Sequence, residues 1–175
     1  MVKRRCGFIL VSDAGCDPTC TLEDLGNAVR KIWIDLGIRI EFDRIDVAPR
    51  QLPPTDGVYC AVGRICYPEE SSREGVVVYV KPGYHGSEPA DIRAYAAAHA
   101  EFPHESTADQ WFSESQMESY RALGSHVIGK ICRGDGETPE PSEPLGLSDF
   151  IRQVSSYLGN SQPRPPTNTA IREGV

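Results

Sequence analysis

The stretch CGFILVSDAG, residues 6–15, decides the fold that this sequence predicts. Its first six residues are apolar without interruption, which is typical of a strand buried on both faces. The residues Ser12, Asp13, Ala14 and Gly15 then end that strand in a loop. We therefore expect a central strand of an α/β sheet at this position.

A helix and a second strand are predicted after this loop. Thr21 with Asp24 three residues later is the pattern of a helix N-cap, and apolar residues recur at helical spacing until Gly37. Residues 38–45 then alternate between apolar and polar, which predicts a half-buried strand. Strand, helix and strand together indicate one βαβ unit.

Two further β-rich segments, residues 57–67 and 75–81, are joined by a short polar stretch. Because a parallel return needs a crossover of a dozen or more residues, the short link predicts an antiparallel hairpin. The sheet is therefore expected to be mixed.

Two amphipathic helices are predicted downstream of the hairpin. The first follows Pro89 and ends near His99, and the second begins at a capping box formed by Ser113 and Gln116. We expect the second helix to bury an apolar face, which is made of Met117, Tyr120, Gly124, Val127, Ile128 and Ile131.

From residue 133 onward the composition changes to Gly, Pro, Ser and Glu. Such a segment buries too little apolar surface to offset its ordering entropy. We therefore divide the chain into an α/β domain, residues 1–132, and a largely disordered tail, residues 133–175, with a short helix at 148–158.

The net charge of −7 limits the partners that the chain is expected to bind. Binding to a phosphate backbone regardless of its sequence needs clustered Lys and Arg, so no nucleic-acid partner is expected. The sequence has neither an uninterrupted apolar run of about 18 residues nor the pattern of a signal peptide. We expect the isolated chain to be cytoplasmic.

The six cysteines are expected to be reduced thiols rather than disulfides or metal ligands. Cys16 and Cys20 are four residues apart, but no second close pair of Cys or His completes a four-ligand zinc set. Glycine-rich phosphate and dinucleotide motifs are absent from the sequence. No metal and no cofactor is expected.

Asp13 is a candidate site residue with two interpretations. It follows the first strand, at the place where open α/β sheets bind ligands. Asp13 and Asp17 are also residues of the type that caps a loop by accepting hydrogen bonds from backbone amides. We prefer the capping interpretation.

An acid, a base and a hydroxyl occur within six residues, which suggests a catalytic triad: His104, Glu105, Ser106 and Asp109. Triads are assembled from separate segments, so closeness in sequence is poor support for one. We prefer Ser106 as the cap of a turn that contains Asp109, with Trp111 and Phe112 docked in the core.

Two long blocks, residues 9–42 (ILVSDAGCDPTCTLEDLGNAVRKIWIDLGIRIEF) and residues 102–124 (FPHESTADQWFSESQMESYRALG), resemble the carboxyl-terminal part of large bacterial patatin-like phospholipases. The resemblance extends over roughly residues 4–124. It implies a partial patatin-like three-layer α/β unit with a mixed sheet. It also implies that residues 102–125 brace the core, beside the entrance for the acyl chain.

Patatin-like enzymes hydrolyse lipid esters with a Ser-Asp dyad, in which the Ser lies in a G-x-S-x-G motif and the Asp in a D-G-[GA] motif. Neither motif can be placed in this chain, because Asp13-Ala14-Gly15 mimics the second but aligns with the next strand end. The resemblance therefore implies a segment without catalytic residues that is inactive alone. Its expected partner is the missing amino-terminal part of the hydrolase, and a lipid or membrane surface would be reached only through that parent protein.

Two alternatives stay open. The chain can be a non-catalytic binding or scaffolding α/β module that presents Asp13, Asp17 and residues 102–120 to a partner protein. It can also be a self-contained hydrolase that uses Ser106 or a cysteine as nucleophile, with His104 as the base and Asp13 as the group that orients it.

Overall fold

The computed structural model describes residues 1–48, 50, 57–68, 74–133 and 146–160. After a 3₁₀ turn at Val2–Arg4, the described elements are β1 (Phe8–Ser12), α1 (Glu23–Leu36), β2 (Arg39–Phe42), β3 (Cys60–Cys66), β4 (Gly75–Val80), α2 (Ala90–Ala98), α3 (Glu114–Arg133) and α4 (Leu147–Asn160). The predicted α/β class is confirmed.

The four described strands form one mixed sheet in the order β1-β4-β3-β2. β1 pairs with β4 in parallel, whereas β3 is antiparallel to both β4 and β2. The predicted hairpin of β3 and β4 is confirmed, with Ile65 opposite Gly75. β1 and β2 run in the same direction but lie at opposite edges of the sheet.

The prediction that β1 is a central strand is wrong for the sheet of the described residues. β1 is an edge strand, and Leu10 in its middle is 50% exposed. A continuous apolar run indicates how strongly a strand can be buried, but it does not specify which strand lies beside it. β4, more than sixty residues away in sequence, occupies the inner position instead.

Helices cover both faces of the sheet, which gives three layers. On one face, α2, α3 and α4 pack over the side chains of β3 and β4 in the main core. On the other face, α1 lies over a smaller core built around Ile9, Ile38, Ile65 and Val77.

The start of α1 differs from the predicted cap at Thr21. The N-cap residue is Leu22, which has a positive φ of 56° and makes no side-chain capping bond. Asp17 takes over that role, because its carboxylate accepts hydrogen bonds from the amides of Thr21 and Leu22, each at 2.9 Å. The predicted end at Gly37 is confirmed, with a left-handed φ of 64°.

The predicted starts and ends of α2 and α3 agree with the structure. Pro89 is the N-cap of α2 and His99 its C-cap. Ser113 caps α3, since its hydroxyl accepts the Gln116 amide proton at 3.1 Å.

The predicted buried face of α3 is only partly right. Tyr120, Val127 and Ile131 pack in the main core, but Met117 is 62% exposed and Ile128 is 43% exposed. Gln116, Leu123, Val127 and Ile131 form the buried side. The Gln116 side-chain amide donates to the Glu105 carboxylate at 3.2 Å, which gives this buried polar residue a hydrogen-bond partner.

The predicted helix at 148–158 is confirmed as α4, and it belongs to the main core. Val154 is fully buried there, and the Phe150 ring lies edge-on to Phe8 of β1 at 6.1 Å between centroids. The rest of the predicted disordered tail, residues 134–145 and 161–175, lies outside the described residues. None of the helices in the described ranges combines the length and apolar character needed to cross a bilayer.

Candidate functional site

Four residues lie together where β1 and β4 end, at the carboxyl-terminal end of these two parallel strands. Asp13 directly follows β1. Lys81 directly follows β4, and the buried Tyr79 is the second-last residue of that strand. The Asp13 amide donates to the Val80 carbonyl at 2.9 Å, so the pairing of β1 and β4 continues into the loop. Open α/β sheets place ligands outside such strand ends.

Asp13 is the acceptor that joins these strand ends. Its Oδ2 atom accepts from the Tyr79 hydroxyl and from Lys81 Nζ at 3.1 Å, while its Oδ1 atom accepts the Gly15 amide proton at 2.8 Å. Lys81 Nζ also donates to the Gly15 carbonyl at 3.2 Å. We call Asp13, Gly15, Tyr79 and Lys81 the Asp13 cluster.

The Asp13 cluster holds its aspartate in the ionised form. Burial alone would raise the pKa of Asp13, but hydrogen bonds from Tyr79, Gly15 and Lys81 outweigh burial and lower it below the ordinary value. Burial and the bond to Asp13 raise the pKa of Tyr79, which stays a protonated donor. Lys81 is 1% exposed, so the ion pair is shielded from water on the lysine side.

The capping interpretation of the loop is confirmed for Asp17 and in part for Asp13. Within the described residues, the Asp17 carboxylate accepts hydrogen bonds from its near neighbours Thr21 and Leu22. Asp13 caps Gly15 but also binds Tyr79 and Lys81, which come from a strand more than sixty residues away. Sequence reasoning named Asp13 and missed both of these partners, because nothing near Asp13 in the sequence indicates them.

His104 lies beside this loop and is 3% exposed. Its backbone carbonyl accepts from the Cys16 thiol at 3.0 Å, and neither ring nitrogen has a partner in good hydrogen-bonding geometry among the described residues. Burial, reinforced by the Lys81 charge, lowers the pKa of His104, although the nearby Gly15 carbonyl acts in the opposite direction. The imidazole is therefore neutral at pH 7.

Ser106 is exposed, whereas His104 is buried. Its hydroxyl accepts the Ala108 amide proton at 3.2 Å, and its carbonyl accepts the Asp109 amide proton at 3.1 Å. The predicted turn cap is confirmed. The structure does not bring Ser106 and His104 together as a nucleophile and base.

The expectation that Trp111 and Phe112 dock in the core is wrong. Trp111 is 92% exposed and Phe112 is 54% exposed. Phe102 is the core aromatic of this segment instead, fully buried between the rings of Tyr95 and Tyr120.

A cavity of about 330 Å³ lies between α1 and the sheet. Apolar side chains form most of its wall, among them Ile9, Val11, Leu25, Val29, Ile32 and Val77. Asp13, Asp24 and Tyr79 line it as well, so the Asp13 cluster lies at its polar end. The sequence contains no signal for this cavity, because its size depends on how far α1 stands from the sheet.

The remaining candidate groups have structural roles. His85 lies against the Ala48 carbonyl, His99 against the Tyr95 carbonyl and His126 against the Ser87 hydroxyl. All six cysteines are unbridged, and burial raises the pKa of Cys60 to about 12. Among the residues that the structure describes, no three His, Cys, Asp or Glu side chains are placed to bind one metal ion.

Comparison with protein-family models, with curated proteins and with solved structures finds no match to this chain.

Proposed function

We propose that this chain is the carboxyl-terminal segment of a patatin-like lipid acyl hydrolase, which contributes sheet and packing but no nucleophile and does not hydrolyse esters alone. The observation that carries the proposal is the free edge of β1, along which no strand of the described residues pairs. An uninterrupted apolar strand lies at the rim of the sheet with Leu10 half exposed.

An edge of this kind is suited to pairing with a further strand. The Gly7 carbonyl and the Asp13 amide bond to β4, so the backbone N–H and C=O of the odd-numbered residues along β1 face β4. The backbone N–H and C=O of Phe8, Leu10 and Ser12 then face outward, away from β4. Soluble proteins commonly protect exposed edges with charged residues or proline, and β1 has neither.

The experiment is a purification of the tagged full-length chain from its own host, followed by a serine-reactive fluorophosphonate probe and intact mass measurement. We expect a stoichiometric partner that carries the label, while this chain stays unlabelled. Label on this chain, lost on denaturation, would contradict the proposal. A complex without label would favour a scaffold, and the absence of a partner would contradict strand pairing.

Leu10→Pro tests the edge directly. Proline removes only an outward-facing amide at this position, and edge strands tolerate it. We expect the variant to lose the partner and to keep its circular dichroism spectrum. Ile34→Lys, at a position 72% exposed on α1, is the matched control and should keep the partner.

A non-catalytic scaffold is the second candidate function, and the exposed pair Trp111 and Phe112 favours it. Exposed aromatic residues are typical of anchors in protein interfaces. If a partner is lost in Trp111→Ser but kept in Leu10→Pro, the scaffold explains the chain better than strand pairing does.

A further inference from the structure

The cavity under α1 lies on the face of the sheet that α1 covers, and the free edge of β1 plays no part in its wall. No residue of α1 is fully buried, although its apolar residues recur at helical spacing. The helix therefore stands off the sheet instead of sealing against it. A volume of about 330 Å³ lies within the range of small-molecule pockets.

The walls of this cavity fit a flexible aliphatic chain. The sheet contributes Ile9, Val11 and Val77, and α1 contributes Leu25 and Ile32. Branched aliphatic side chains offer dispersion contacts and few hydrogen bonds, so a ligand gains affinity there by removing apolar surface from water. The volume is near the lower end of the range for ligand pockets, which favours one chain over the two chains of a membrane lipid.

The polar end of the cavity has a net negative charge. A Cβ atom placed on Gly15 would lie 3.0 Å from Asp13 Oδ1 and 3.4 Å from Asp24 Oδ2, so the two carboxylates converge on this glycine. Lys81 is the cation nearest to Asp13, and their ion pair neutralises both. In the described part of the chain, Asp24 has no ion-pair partner; it lies in the first turn of α1, so only the partial charge of the helix amino end acts on it.

From the cavity and this charge pattern we infer that the site binds a single aliphatic chain with a neutral or cationic head group. The chain lies between α1 and the sheet, and the head group lies at Asp13 and Asp24. A carboxylate head group would meet two carboxylates at short range, which opposes its binding. Free fatty acids are thus expected to be poor ligands.

The test is isothermal titration calorimetry of the full chain with three twelve-carbon ligands, each below its critical micelle concentration. The ligands are dodecyltrimethylammonium, dodecyl maltoside and dodecanoate. We expect the cation to bind most tightly and dodecanoate at least tenfold more weakly. Cations with eight, ten and twelve carbons should gain about fourfold in affinity per added methylene until the cavity is full.

Two substitutions at neighbouring positions of β1 locate the site. Val11→Phe fills the cavity and should abolish binding, whereas Leu10→Phe projects from the opposite face of the strand and should leave it unchanged. Asp24→Asn should weaken the cation severalfold and leave the maltoside unchanged. Thermal unfolding verifies that each variant is folded.

Several results would overturn the inference: no binding of any of the three ligands, equal or tighter binding of dodecanoate, or binding that survives Val11→Phe. None of them depends on a partner or on an acyl hydrolase. A failure here therefore leaves the proposed function untouched, and a failure of the proposed function leaves this site in place.

Discussion

The two faces of the sheet are packed to different degrees. Among the residues that the structure describes, the core under α2, α3 and α4 has thirteen buried members, whereas the core under α1 has four. The first face includes fully buried aromatic and aliphatic side chains, such as Phe102, Ile92 and Val154. The second includes a cavity of about 330 Å³. One face thus sets the stability of the fold, and the other leaves space for a ligand.

This contrast has a simple physical origin. Close packing excludes voids from a core that is completed by the chain itself, so a cavity persists only where its walls are held apart by other contacts. α1 is held at its amino end by the Asp17 loop and at its carboxyl end by Leu36 and Ile32, which pack against the small core. The cavity lies between these two supports.

The largest expected difference between the faces comes from removing one large side chain on each. Phe102→Ala should lower the free energy of unfolding by about 4 kcal/mol, because the ring is fully buried between Tyr95 and Tyr120. Ile32→Ala, at a residue that already borders the cavity, should cost about 1 kcal/mol. Urea unfolding measures both.

Equal losses for these two variants would mean that α1 seals its face as tightly as the other helices do. If Phe102→Ala does not fold, Phe102→Leu gives the same comparison with an expected loss of about 1.5 kcal/mol.

The Asp13 cluster lies at the polar end of the cavity, and removing its carboxylate measures how much a paired charge stabilises the face under α1. Asp13→Asn should lower the free energy of unfolding by about 3 kcal/mol, because Lys81 keeps a buried charge that is no longer paired. Asp17→Ala, in the same loop, loses only a cap and should cost about 1 kcal/mol. If both variants lose the same amount in urea unfolding, Asp13 acts as a loop cap alone.

The same aspartate should make stability depend on acid pH. The pKa of Asp13 in the folded chain lies below its ordinary value of 3.8, so the unfolded chain binds the proton more readily. Asp13 contributes its full share to the free energy of unfolding above pH 3.8, and that share is lost as the pH falls through the lower pKa of the folded chain. Urea midpoints between pH 6 and pH 2 should therefore fall less steeply in Asp13→Asn than in the wild type, and parallel curves would contradict this assignment.

Local sequence patterns predicted where the helices and strands lie better than they predicted which elements pack side by side. The hairpin, the ends of α2 and the Ser113 cap each depend on a few adjacent residues, and each agrees with the structure. The edge position of β1 depends on β4, far away in sequence. For the same reason Asp13 could be named from its loop, while its partners Tyr79 and Lys81 could not.

Aromatic residues in the segment 102–126 show the same limit. Composition alone does not distinguish Phe102, which is fully buried, from Trp111, which is 92% exposed. The difference depends on Tyr95 and Tyr120, whose rings pack against Phe102 and come from helices on either side of this segment.

The smallest expected change in the free energy of unfolding is at Trp111. This residue lies outside the core under α2, α3 and α4. Trp111→Ser should change the free energy of unfolding by less than about 0.5 kcal/mol, because the side chain buries little surface. Trp33→Ser should cost about 1 kcal/mol, since Trp33 is 45% exposed and its ring lies 4.4 Å from the Arg39 guanidinium carbon. The chain has only these two tryptophans, so iodide quenching of Trp33→Phe reports Trp111 alone. Strong quenching is expected, whereas weak quenching would mean that Trp111 is covered and that the packed face extends beyond α3.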